Sequence, residues 1–332
     1  MVPDTVRVSI GTASVLGLAK CWLDEKPTTA YLMTYTKGSC IANCSFCPQA
    51  RESPSRKQLL SRVLWPAFST ERVLNCFKNP KYEVLERICI QAVNYPGFLE
   101  DVVILLKAFK EVSDLPISLD SPPLNRVEMA RLKDTGLDRI GLPLDAATAE
   151  LFDKVKGQAV GGPYRWERHI EALEEAIDLF GVDRVMTNLI IGLGETEEEA
   201  VSLIQRLKDM GVQTALFAFT PIPGTILSRL PQPPLESYRR IQLARYLITE
   251  GMASWSEMKF DEGGRITDFS GDLDEVKDIL LTGEPFRTCG CPGCNRPYYN
   301  ERPSGPLYNY PRGLDKEEAV KEAELVGLMK YE

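Results

Sequence analysis

Short apolar runs alternate with amphipathic stretches through the middle of the chain, the pattern of a parallel sheet built from repeated strand–helix units. The spacing predicts strands over Thr29–Thr36, Arg87–Val93, Pro116–Leu119, Arg139–Leu142, Val185–Ile191 and Thr214–Phe219. Between them, apolar residues recur at helical spacing. Ile170, Leu173, Ile177 and Phe180 share one face, and Gly181 follows where such a helix would stop. Ala200, Leu203, Ile204, Leu207 and Met210 repeat the rule behind Thr196 and Glu199, a capping-box pair. A further helical pattern covers Ser237–Glu250. The weaker segments Glu257–Phe260 and Arg265–Asp268 would supply a seventh and an eighth strand. Together these elements predict an α/β fold, a (β/α) TIM-type barrel, full or partial.

After about residue 283 the pattern dissolves into Pro, Gly, Asn and Tyr, a composition that resists regular structure, before Leu314–Met329 reads as a closing amphipathic helix. The expected organisation is an N-terminal extension over 1–28, a barrel over 29–282, and an irregular cysteine-containing C-terminal extension over 283–332. Such a tail has no core of its own, so a metal ion or cluster would be its natural staple. The 332 residues are 44% hydrophobic and 26% charged, which argues against a wholly disordered chain. No apolar run approaches the roughly 20 residues of a membrane span, and the N-terminus shows no signal-peptide pattern. A net charge of −8 without a dense Lys/Arg patch disfavours a phosphate-backbone binder. The expectation is a cytoplasmic protein that binds neither nucleic acid nor membrane.

Nine cysteines change the picture, because six of them fall in two triplets, Cys40/Cys44/Cys47 and Cys289/Cys291/Cys294. An odd count without a signal sequence does not suggest a disulfide framework. The single histidine, His169, leaves little room for His-rich zinc chemistry or a Ser-His-Asp triad. The first triplet, spaced C-x3-C-x2-C, follows directly after the first predicted strand, and loops after strands form the active face of a barrel. Three thiolates there suit three irons of a [4Fe–4S] cluster, leaving the fourth iron open. A structural zinc site or buried thiols is the alternative, although zinc sites usually close with four ligands.

The first motif, with Phe46 before the last cysteine and Pro48-Gln49 after it, resembles the radical S-adenosylmethionine (SAM) superfamily. Other segments match that superfamily in chain order. Asn188 to Thr196, including Ile191 and Gly192, looks like the adenine-contacting segment, and Thr214–Thr225 like the sixth-strand segment. Ile88–Val93, with Gln91, holds the position that binds the amino group of SAM. Asp145 and Arg168 hold positions used for the ribose and the carboxylate. The resemblance implies that SAM on the open iron is cleaved to a 5′-deoxyadenosyl radical, chemistry that belongs to the cofactor rather than to side chains.

Within the superfamily the barrel resembles biotin synthase, which holds a second cluster inside its barrel on three cysteines and an arginine. Cys89 matches the first of those cysteines, but the other two positions read Ile117-Ser118 and Met186, so Cys89 is expected to be a core thiol. The tail triplet, with Ser304 as a weak fourth ligand, suggests a relocated auxiliary [4Fe–4S] cluster, similar in logic to lipoyl synthase. A zinc knuckle is one alternative for this tail; a biotin synthase-like or other radical SAM enzyme whose tail cluster only relays electrons or anchors substrate is another. Barrel and tail together look like the two-protein lipoyl synthases found mainly in archaea. That resemblance implies sulfur transfer from the auxiliary cluster to C6 or C8 of an octanoyl chain on a carrier protein, either a lipoyl domain or the glycine cleavage H protein. It also implies a second related radical SAM protein and an electron donor as partners.

The remaining candidates have plainer expectations. Cys21 and Cys76 stand alone in apolar surroundings and are expected to be buried thiols. His169 is expected to serve packing or surface. Tyr298, Tyr299, Tyr308 and Tyr310 suit packing of the irregular tail rather than an acyl tunnel, and the run Glu197–Glu199 favours a helix start through the dipole.

Overall fold

The computed structural model describes residues 2–78 and 82–329. A strand β1 (Thr5–Val8) and helix α1 (Ile10–Val15) precede β2 (Thr29–Met33). A small hairpin, β3 (Leu59–Leu60) and β4 (Val63–Leu64), leads into β5 (Ala67–Ser69) and α2 (Thr70–Phe77). Strand–helix units follow: β6 (Arg87–Gln91) with α3 (Phe98–Lys110), β7 (Ile117–Asp120) with α4 (Arg126–Asp134), and β8 (Arg139–Gly141) with α5 (Ala149–Val155) and α6 (Trp166–Phe180). Then come β9 (Val185–Ile191) with α7 (Glu197–Asp209) and β10 (Gln213–Ala218) with α8 (Leu235–Glu250). A second hairpin, β11 (Lys259–Phe260) and β12 (Ile266–Asp268), precedes α9 (Leu273–Thr282), and α10 (Lys316–Val326) closes the chain.

The main sheet runs in the order β10-β9-β8-β7-β6-β2-β1-β5. From β2 to β10 its neighbours are parallel, whereas β1 lies antiparallel between β2 and β5. This is a partial TIM-type barrel with helices packed outside. The strands are buried on both faces: Ile88, Ile90, Ile117, Leu119, Ile140, Val185 and Leu216 share one, and Cys89, Ser118, Met186 and Ala215 the other. Register sets Tyr31 beside Cys89 and Cys89 beside Ser118, a row across three adjacent strands.

The expectation of a seventh and eighth barrel strand is corrected: β11 and β12 form their own two-stranded hairpin. Two and three residues are too short to cross a barrel wall. Asp261 instead turns the chain, its carboxylate accepting from the backbone of Gly263 and Arg265. The Ile266 N–H then donates to Glu197, which also pairs with buried Arg240.

The tail carries little regular structure and is held by side chains. Arg239 on α8, completely buried, donates to Glu322 on α10 at 2.8 Å, to Gln242 at 2.5 Å, and to the carbonyls of Tyr308 (2.6 Å) and Leu307. Its guanidinium also lies over the rings of Phe286 and Tyr310. Tyr308 and Tyr310 pack here, Tyr308 donating to the Pro233 carbonyl and Tyr310 to Glu322. No helix among the described residues is long and apolar enough to cross a membrane.

Candidate active site between two cysteine triplets

The loop after β2 has no regular structure, so its shape comes from bonds to neighbouring segments. The Ile41 N–H donates to the Asn94 carbonyl, Ser45 to Val155 and Leu227 to Ser45. Buried Asn43 donates to the Val160 carbonyl at 2.8 Å and accepts from the Glu52 N–H. Gln49 donates to the Leu59 carbonyl, and Lys57 spans the carbonyls of Ala50 and Ser53. Held in this way, Cys40, Cys44, Phe46 and Cys47 face the inside of the barrel at the carboxyl ends of its strands, where they line one cavity of ≈ 660 Å³.

The tail triplet reaches the same cavity from the opposite end. The Gly293 carbonyl accepts from Thr28 and Thr29, and the Pro292 carbonyl from Arg87, all at the amino-terminal starts of β2 and β6. Cys291 Sγ lies 2.9 Å from Met186 Sδ at the start of β9, and Cys294 Sγ lies 3.4 Å from the Tyr31 hydroxyl. Cys291 and Cys294 line the cavity. Cys289 sits just behind that wall, its sulfur accepting from the Leu216 N–H at 3.2 Å.

Between the triplets the wall is largely apolar, with Leu60, Val63, Trp65, Ile190, Phe217 and Tyr299 among its members. Several of its polar groups bond to one another. Gln91 donates to Asp120 at 2.8 Å and to Cys89 Sγ at 3.1 Å. Burial raises the Asp120 carboxyl above its ordinary range. The Asp120 carboxylate also explains Gly141, where a β-carbon would lie 1.9 Å from its oxygen. Asp145 is held at φ 69°, a left-handed conformation rare for aspartate. It accepts from Lys156 Nζ at 2.7 Å, and that ammonium, itself buried, also bonds the Pro143 carbonyl at 2.5 Å.

The sequence candidates therefore divide. Cys40, Cys44, Phe46, Cys47, Gln91, Asp145, Asn188, Cys291 and Cys294 share the cavity, and Cys289 adjoins it. Ile191 is buried, and Gly192 packs against Pro233, which a β-carbon there would meet at 2.8 Å; neither lines the cavity. Arg168 lies outside, on α6, bonded to the Leu124 carbonyl and paired with Glu171 and Glu175. Ser304 is exposed and does not contribute to the cavity wall. Lys156, Asp120 and Arg296 line the cavity although the sequence had not singled them out. Arg296, two residues after Cys294, carried a positional signal. Lys156 carried none, since Lys154 and Lys156 look like an ordinary solvated pair.

Three further cysteine expectations meet different ends. Cys89 is buried and also faces the cavity. Cys76 is half-buried, its thiol donating to the Arg72 carbonyl. The burial expected of Cys21 is corrected. It is exposed beside Trp22, itself 89% exposed, because the segment forms no helix or strand that could turn an apolar face inward.

Residues 35–207 match the Radical SAM superfamily, slightly more than half of the chain. The chain belongs to the radical SAM superfamily. Among curated relatives it is 26% identical to the biotin synthase of Desulforudis audaxviator over 295 residues, covering 87% of this chain and 85% of that one. It is also 26% identical to the biotin synthase of Agrobacterium fabrum, over 79% and 75% of the two chains. Methylornithine synthase (PylB) shares the fold at TM-score 0.52 and 16% identity, covering 96% of this chain and 87% of that one. The hydrogenase maturase HydG of Carboxydothermus hydrogenoformans shares it at 0.51 and 16%, over 96% and 82%.

Membership implies a [4Fe–4S] cluster and SAM, and the first triplet has the right donor chemistry. Its thiols are unpaired by disulfides and line the barrel cavity. Burial raises all three, Cys47 to about 12, so they resist ionising without a cation to meet them. A metal centre supplies that charge, and coordination deprotonates a thiol outright. The Lys156 ammonium acts in the same direction on Cys40 and Cys44. Among the described residues no three His, Cys, Asp or Glu side chains are gathered closely enough to share one metal ion.

Proposed function

We propose that this protein inserts sulfur into an unactivated C–H bond of an octanoyl chain carried on a protein, as one component of a two-protein lipoyl synthase. The observation that supports it most is the meeting of two cysteine triplets on one apolar cavity, from opposite ends of the barrel. When bound, SAM and the cluster at Cys40, Cys44 and Cys47 supply a 5′-deoxyadenosyl radical that removes hydrogen from carbon. The centre at the tail triplet is a co-substrate in this reading, since one of its sulfides ends in the product.

The residues of the chain perform binding, positioning and exclusion. Apolar side chains from β3, β4 and β10 fit an alkyl chain, whose burial contributes about 0.8 kcal/mol per methylene. Asp145, held by Lys156, offers a carboxylate suited to hydroxyl groups of a ribose. Phe46 and Asn188 flank the space where an adenosyl group would lie. The largely apolar wall limits side reactions of a carbon radical, and close placement of C–H and sulfide is the main catalytic task.

A biotin-type reaction is the second reading, favoured by the names of the curated relatives. Against it, the positions that would complete an internal cysteine set with Cys89 are Ser118 and Met186. Met186 is in contact with Cys291, so tail sulfur occupies that region.

A single-turnover assay tests the proposal. The anaerobically reconstituted chain is given SAM, a reductant and an octanoylated carrier peptide, with and without a related partner protein, and the peptide is weighed by mass spectrometry. Gain of one sulfur per peptide is expected. An unmodified peptide under both conditions, or sulfur gained by dethiobiotin when it replaces the peptide in a parallel reaction, would contradict it.

A further inference from the structure

Arg296 is a cation in an apolar interior. It follows Cys294 by two residues and adopts φ 36°, a backbone strain that turns its side chain into the cavity. Its guanidinium carbon lies 4.0 Å from the centroid of Phe217 on β10. One N–H donates to the Cys289 carbonyl at 2.6 Å, and its own backbone N–H donates to the Tyr31 hydroxyl, which touches Cys294. Among the described residues no carboxylate pairs with it. Asp120, across the cavity, is engaged by Gln91. The thiols of Cys289 and Cys294 and the hydroxyls of Tyr31 and Tyr238 surround the guanidinium. The buried carboxyls of Asp120 and Glu301 also feel its charge, but neither lies within ion-pair distance, and Glu301 is taken up by the backbone N–H groups of Asn300 and Asn309.

An unpaired charge in such a place is strongly unfavourable unless an anion meets it. Three thiolates around an iron–sulfide core would be that anion. We propose that Arg296 is the charge partner and positioning residue of an anionic iron–sulfur centre held by Cys289, Cys291 and Cys294, and that Ser304 takes no part in holding it. This rests on reading the tail triplet as an iron–sulfur site. The cation–π contact with Phe217 fixes the guanidinium to the barrel wall, on the cavity side of the triplet. Tyr31 links the two partners by touching both Cys294 and the Arg296 backbone. A fixed positive charge favours the more reduced, more negative state of a cluster, so it raises the reduction potential and slows loss of iron.

The test uses the full chain with Cys40, Cys44 and Cys47 changed to alanine, so that only the tail centre loads. Iron, zinc and acid-labile sulfide per chain, iron retention against a chelator, and the potential from a redox titration followed by electron paramagnetic resonance are measured. Arg296→Gln keeps a donor for the Cys289 carbonyl but removes the charge. It is expected to lower the potential and to weaken iron retention about ten-fold or more. Arg296→Lys should return the potential toward the parent value, which a merely structural role of the loop would not require. Ser304→Ala should leave both readouts unchanged. Circular dichroism of each apo-variant confirms that the fold is kept. Parent-like potential and retention in Arg296→Gln, or loss of the centre in Ser304→Ala, would overturn the inference while leaving the iron–sulfur reading intact. Zinc without sulfide in the parent would remove that reading itself.

Discussion

His169 is the chain's single histidine, and its surroundings give it a structural signature that can be measured. It is buried on α6 between the rings of Phe152 and Tyr164, with centroids 5.0 and 5.3 Å away. Nδ1 faces the Arg165 carbonyl and therefore carries the proton, while Nε2 is buried without a partner. Desolvation, helped by nearby Lys156, lowers its pKa from 6.5 to about 3. A group whose folded pKa is lowered is neutral in both states above the unfolded value, and it opposes folding as pH falls below that value. Relative to His169→Met, the wild-type protein should lose about 2 kcal/mol of stability between pH 7 and pH 5. Denaturant melts of both proteins across that range check this, and parallel curves would show that the imidazole is hydrated. At this scale the cysteines were legible because C-x3-C-x2-C is a rare spacing. The charged partners were not, because burial of a lysine or arginine depends on which segment lies over it. Lys156 and Arg168 show both sides: the lysine went inside with Asp145, and the arginine stayed on its helix with Glu171 and Glu175.

The strands and helices that follow strong periodicity fall where the pattern put them, because their apolar faces have only one core to join. Thr196 caps α7 with Glu199 as expected, and Gly181 ends α6. Short elements were less legible. The segments of β11 and β12 resemble barrel strands in composition, yet their length and the Asp261 turn make them a hairpin tethered to Glu197. Strands β1 and β5 join the sheet edge through antiparallel pairing, which no local pattern announces. The tail is held by specific side chains rather than by an apolar face, so its attachment should be sensitive to one residue. Arg239→Met would leave the Glu322 carboxylate buried with only the Tyr310 hydroxyl, and breaking a buried pair costs about 3–5 kcal/mol. Limited proteolysis of the intact protein should then cut within 287–313 while the barrel survives. Unchanged protection of the tail would mean that cysteine-bound metal, and not Arg239, holds it down.

On the scale of the whole molecule, the partial barrel and its tail line one cavity. The parallel strands deliver the first triplet at their carboxyl ends, as the barrel geometry dictates. The tail enters from the amino-terminal side and sets Cys291 and Cys294 into the same space. The sulfur-transfer reading of the sequence requires the two triplets to share one space, although no spacing along the chain places them there, since Cys47 and Cys289 are separated by nearly the whole barrel. The chemistry proposed for the cavity requires that the inserted sulfur come from the protein itself. Reconstitution with sulfide enriched in a heavy sulfur isotope, followed by one turnover on the octanoylated carrier in unlabelled buffer, tests that requirement most directly. Heavy sulfur in the product from the wild-type chain, and none from Cys291→Ala loaded in the same way, is the predicted result. Product carrying only natural-abundance sulfur, or labelled product that survives loss of Cys291, would contradict it.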